Sequence, residues 1–130
     1  MKNVISSHDA PAAIGAYSQA IEFQGLIFIS GQLGISPDTG KFLGESVEAQ
    51  AKQAIENIGA ILYAAESGYS NIIKTTIFLV DMNDFSKVND IYKEYFDEDP
   101  PARSTVQVAA LPKGGLVEIE VIAVKKALCR

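Results

Sequence analysis

The 130-residue sequence predicts an α+β domain spanning residues 1–130: a mixed β-sheet with two helices packed on one face, in the order β-β-β-α-β-α-β-β. Three observations carry that prediction. Two stretches repeat apolar residues at helical spacing, six others are short and alternating or β-branched, and Gly, Pro, Asn and Asp punctuate the joins.

Residues 4–6 and 18–23 read as short strands, with Gln24-Gly25 turning the chain into a third strand over 26–30. Residues 31–43 read as a loop whose strongest turn signal is Ser36-Pro37-Asp38-Thr39-Gly40. Ser46 suits a helix N-cap, and Glu48 sits well in the first turn, where a negative charge meets the positive end of the helix dipole. Val47, Ala51, Ile55, Ile58, Leu62 and Ala65 then share one helical face, and Gly68 suits the C-terminal cap. Residues 72–81, rich in β-branched side chains, read as a central strand. Asn83 or Asp84 opens a second helix with Phe85, Val88, Tyr92 and Tyr95 on one face, and Pro100 marks its end.

The last quarter, PPARSTVQVAALPKGGLVEIEVIAV (residues 100–124), reads as a stiff entry, an alternating strand, a turn on LPKGG and a returning strand. Arg103 shares its parity with Thr105 and Gln107, so it projects with the polar set. On the returning strand Val117, Ile119, Val121 and Ala123 share one face, and Glu118 and Glu120 share the other, about 6.5 Å apart. Paired as a hairpin, these strands set a guanidinium beside two carboxylates. Such a pairing serves either as a binding site or as a solvated sheet face.

Composition narrows the function classes. A net charge of −5, with no cluster of lysines and arginines, argues against nucleic acid, whose affinity rests on phosphate neutralisation. Cys129 is the sole cysteine and His8 the sole histidine, so an internal disulfide, a thiolate metal cluster and a Ser-His-Asp triad are not expected. The longest apolar runs, such as 77–80, fall far short of a membrane span, and the first fifteen residues lack an apolar secretory core. The expectation is a cytoplasmic, metal-free protein. Ile122 and Val124 beside Glu118 and Glu120 give the helix-free sheet face an amphiphilic character that calls for a partner.

The segment PARSTVQVAALPKGGLVEIEVIAV resembles the signature of the reactive intermediate deaminase (RidA) family, whose members also carry the names translation inhibitor and endoribonuclease. APAAIGAYSQAI (residues 10–21), ISGQLGISPDTG (29–40) and KTTIFLVDMNDFSKVNDIY (74–92) match the same family in order. The resemblance implies a chorismate-mutase-like fold assembled as a homotrimer with sites between subunits. It also implies a cofactor-free hydrolysis of 2-imino and 2-enamino acids, released by pyridoxal-phosphate dehydratases, to 2-keto acids and ammonia.

By the same resemblance, Arg103 holds the substrate carboxylate, Glu118 positions or activates water, and Tyr17 lines the pocket, supplied by the chain neighbouring the one that gives Arg103. Ser30 and Gly31 contact the bound acid, the backbone of Thr105 supports the carboxylate, and Asn89 is a further candidate for the wall. A planar guanidinium matches a carboxylate in two-pronged fashion and stays charged at any relevant pH. Two positions depart from the family pattern: Thr105 stands where many members have cysteine, and Ala16 where proline is common. A carboxylate-sensing module that does not catalyse, and less favoured an endoribonuclease, are the rival readings.

Overall fold

The structure, a computed structural model, describes residues 1–126; Cys129 lies outside them. Six strands form one sheet in the order β1-β2-β3-β6-β4-β5: β1 (Asn3–Ile5), β2 (Ala20–Phe23), β3 (Leu26–Leu33), β4 (Ile72–Leu79), β5 (Ala102–Gln107) and β6 (Val117–Val124). Two helices, α1 (Val47–Ala64) and α2 (Phe85–Tyr92), pack on one face, as the alternation and helical spacing predict. Among the described residues no helix is long and apolar enough to cross a membrane.

The core lies between α1 and the β3–β6–β4 centre of the sheet. Ile27, Ile77, Leu79, Val117 and Ile119 face Ile55, Ile58, Ile61 and Leu62, all fully buried. Burying such a side chain stabilises by about 1.5–3 kcal/mol. Ser46 caps α1 as expected, its Oγ accepting from the Ala49 N–H at 3.1 Å. The other end differs from the sequence reading. Glu66, not Gly68, takes the left-handed conformation (φ 61°), and the Ser67 and Glu66 N–H groups bond back to the carbonyls of Leu62 and Tyr63. Helix α2 stops at Tyr92, well before Pro100. The Glu94 and Tyr95 N–H groups bond three residues back, and this tightening carries the Tyr95 hydroxyl to Glu56 on α1 at 2.7 Å.

One expectation is overturned. The strands flanking LPKGG do not form a hairpin, because β4 lies between them, parallel to β5 and antiparallel to β6. Lys113 and Gly114 both adopt left-handed angles, and the preceding segment crosses past β4 instead of folding straight back. Register then sets the faces. Arg103 pairs with Thr75 and Glu118 with Phe78, three residues apart on β4, so the two side chains leave opposite faces of the sheet.

Candidate active site

On the helix-free face the site begins with a fault in a strand. Ile29 pairs with Val121 and Gln32 with Ile119, so Ser30 and Gly31 together oppose only Glu120. This bulge is where the sequence reading ended its third strand; the strand continues through it to Leu33. The Ser30 N–H donates to the Gln19 carbonyl at 2.9 Å, and its hydroxyl donates to the Ser18 carbonyl at 2.6 Å. The Ser30 hydroxyl proton is thus committed to holding the bulge against the segment that carries Tyr17.

Gly31 leaves the space that Glu118 fills. A Cβ at position 31 would stand 2.7 Å from both Cδ and Oε2 of Glu118. Only glycine lets the carboxyl lie flat on the backbone there. Half-buried, Glu118 has its carboxyl pushed above the ordinary 4.5, by desolvation first and then by the charge of Glu120. A carboxyl so placed exchanges a proton at a pH nearer neutrality than a solvated one.

These groups open onto a cleft of about 800 Å³. Tyr17, Ser30, Gly31, Glu118 and Glu120 line one side, and Ile14, Leu33, Ile35 and Pro112 supply an apolar wall. Tyr17 is 54% exposed, on the loop that follows Gly15. Buried amides hold the surrounding loops. Gln19 accepts from the Ser7 N–H at 2.6 Å and donates to the Pro11 carbonyl at 2.7 Å. From α1, Asn57 donates to the Leu33 and Ile35 carbonyls at 3.1 and 2.9 Å, and Gln50 accepts from the Leu116 N–H at 2.8 Å. Sequence reasoning missed these three amides. Polar residues on an otherwise apolar helical face were the available signal for Gln50 and Asn57.

Arg103 stands apart from this cleft, on the helix face near the outer edge of the sheet. Its Nη1 donates to the Asn89 Oδ1 at 2.8 Å, and its Cζ lies 4.8 Å from the Tyr92 ring centre and 5.3 Å from that of Phe85. Among the described residues no carboxylate lies within 4.0 Å of the guanidinium, so the cation is oriented without being neutralised. Thr105 shares its strand, and the Thr105 Oγ1 is sealed from solvent with no hydrogen-bond partner among the described residues. A buried hydroxyl without a partner is uncommon in a folded protein.

One chain therefore brings together Tyr17, Ser30, Gly31 and Glu118 in one place, and Arg103, Asn89 and Thr105 in another. Chemically, the first set offers a proton-exchanging carboxyl beside an apolar pocket. The second offers an open two-pronged anion receptor. Among the described residues no group of three or more His, Cys, Asp and Glu side chains is arranged to hold a metal ion.

Over nearly its whole length the chain is similar to known proteins. Residues 7–125 match the family model described as Endoribonuclease L-PSP. A Bos taurus protein named 2-iminobutanoate/2-iminopropanoate deaminase is 54% identical over 128 residues, covering 98% of this chain and 93% of that protein. The human protein of the same name is 49% identical over 128 residues, covering 98% of this chain and 93% of its own. Among solved structures, a Yersinia pestis member of the conserved Rid protein family, YyfA, superposes with a TM-score of 0.93 at 53% identity, covering 95% of this chain and 99% of that one. Escherichia coli TdcF with bound serine superposes with a TM-score of 0.91 at 42% identity, covering 95% and 99% of the two chains.

Proposed function

This chain belongs to the Endoribonuclease L-PSP family, which takes in the Rid proteins, and from that premise we propose that it is a 2-iminobutanoate/2-iminopropanoate deaminase. It hydrolyses imines and their enamine tautomers, released by pyridoxal-phosphate dehydratases, to 2-keto acids and ammonia. Relatives about half identical over nearly the full chain carry that activity in their names. The observation that carries the reading is the Arg103 guanidinium, held by Asn89 and two rings with no acid upon it among the described residues. An acid-paired arginine would have spoken for a structural role.

The proposed site is shared between chains of a homotrimer. Arg103 and Glu118 leave opposite faces of one sheet, so a neighbouring chain brings its Glu118 cleft to the Arg103 edge. The helix-free face supports assembly, since Phe28, Val106 and Leu26 stand 44, 42 and 37% exposed on it. In the reaction, Arg103 forks the substrate carboxylate, with backbone N–H groups near Gly31 and Thr105 assisting. Glu118 takes a proton from water as the oxygen bonds to C2 and the C=N electron pair moves to nitrogen. The resulting acid returns that proton to nitrogen, giving a carbinolamine. Glu118 then takes the hydroxyl proton as C=O forms and the C–N bond breaks, and passes it to the departing nitrogen, which leaves as ammonia. Tyr17 and the apolar wall keep bulk solvent out. An imine carbon is already electrophilic, so this chemistry calls on no cofactor.

Residues 1–130 act in this reading as one RidA-like domain, in the cytoplasm. Nucleic acid is left out as a partner, because a chain of charge −5 offers phosphates little. The test supplies threonine to a threonine dehydratase and follows 2-ketobutyrate formation with and without this protein. Acceleration by the wild type and none by Arg103→Ala is expected. No acceleration, with 2-ketobutyrate still bound, would replace the enzyme with a carboxylate sensor. Ribonuclease activity that persists through size exclusion and vanishes in Arg103→Ala would overturn both.

A further inference from the structure

Helix α2 turns three residues toward one strand. Phe85, Asn89 and Tyr92 stand at i, i+4 and i+7, which puts them on a single face, and all three touch the Arg103 side chain. Asn89 occupies one N–H of a guanidinium that has five. The rings do something different. They attract the cation through their faces, leaving its remaining edge, where a carboxylate would dock, free of any carboxylate among the described residues.

Tyr92 is itself fixed. It is 4% exposed, its ring centre lies 4.4 Å from that of Phe96, and its hydroxyl shares a 2.8 Å hydrogen bond with the Thr75 Oγ1. Thr75 is fully buried on β4, directly paired with Arg103 on β5. The contacts thus close a ring: from Arg103 across the ladder to Thr75, through that hydroxyl to Tyr92, and from the Tyr92 face back to the guanidinium. An acidic side chain in place of either aromatic would hold the arginine too, but would fill the fork.

We propose that Phe85 and Tyr92 are positioning residues that hold the Arg103 guanidinium in the plane in which it receives the substrate carboxylate. The proposal rests on Arg103 being the carboxylate clamp of the deaminase reading. It assigns to an apparently ordinary helix face the task of arranging a long, flexible cation before substrate arrives, so that little freedom is lost on binding.

Calorimetric titration with 2-ketobutyrate, alongside steady-state deamination, tests it on four variants and a reference. Phe85→Leu and Tyr92→Leu should each weaken 2-ketobutyrate binding and raise KM by about tenfold. In both, kcat should stay within about twofold of wild type, because the water-activating carboxyl is untouched. Tyr92→Phe, which keeps the ring, should recover most of the affinity. Val88→Ala, at a position of the same helix only 2% exposed, should lower the melting temperature without weakening binding. Phe85 is 37% exposed, so its variant folds even where Tyr92→Leu does not. If both leucine variants bind as tightly as Val88→Ala while Arg103→Ala, the reference, does not bind, the positioning role is wrong and the clamp stands. If Arg103→Ala binds normally, the deaminase reading itself fails.

Discussion

Arg103 and Glu118 project from opposite faces of the same sheet, paired with Thr75 and Phe78 of the strand that separates theirs. No rotamer of either side chain takes it through a packed sheet. A site that uses both must draw them from different chains.

Mixing experiments read that division directly. Arg103→Ala and Glu118→Gln should each be inactive alone. Unfolded together and refolded as mixed assemblies, they should regain about a quarter of wild-type activity per site, the random chance that an intact Arg103 meets an intact Glu118 across an interface. Recovery indistinguishable from zero would mean that both groups act from one chain.

Gly31 gives a second prediction. A methyl group there meets the far end of the Glu118 side chain, which can swing aside, so the fold should tolerate Gly31→Ala. The carboxyl, moved by an ångström or more, should lose kcat by on the order of a hundredfold. Unchanged melting with this loss identifies a displaced group; normal activity would show that the Glu118 position does not matter.

The pH profile follows from the direction of the Glu118 shift. Its carboxylate form is the base, and burial and Glu120 lift its pKa above 4.5 in the folded chain. kcat/KM should therefore fall on the acid side along a limb lying above 4.5, and Glu120→Gln should move that limb down. Stability carries the opposite sign. The folded protein binds this proton more tightly than the unfolded chain, so ionised Glu118 is a burden above its folded pKa, relieved as pH falls toward 4.5. Glu118→Gln should melt higher than wild type at neutral pH, with the gap closing on acidification. A gap that widened instead would mean the ionised carboxyl is stabilised in the assembly.

Asn57 is fully buried and bonds to Leu33 and Ile35, the cleft wall. Asn57→Ala strips two carbonyls of their donor and should destabilise by about 2–4 kcal/mol. That corresponds to a melting temperature lower by about 8–16 °C. KM should rise as the wall loosens. Loss of stability with unchanged KM would confine Asn57 to the scaffold.

Much of this was written in local patterns. Alternation through Val117, Ile119, Val121 and Ala123 marks the buried face of β6, and the spacing from Val47 to Ala65 marks the core side of α1. Both depend on residues near each other in sequence. The insertion of β4 between β5 and β6 depends on pairing between distant segments, which no short-range period encodes, and a hairpin across LPKGG was the natural misreading. The candidate residues were legible as types and motifs. Their division into two places was not, since it follows from that same pairing.

The bulge at Ser30 and Gly31 also works as a phase shifter. Ile29 and Gln32 are three residues apart, a spacing that sends side chains to opposite faces in a regular strand, yet both are buried on the helix face. Removing Gly31 would restore an unbroken ladder, with Gln32 still opposite Ile119 and Leu33 opposite Glu118, so the rest of the strand would keep its faces. The sheet would gain regularity and lose the recess that receives the carboxyl. Length at this point is therefore held as firmly as identity: the extra residue changes no later side chain's face, but it makes the hollow in which the Glu118 carboxyl lies.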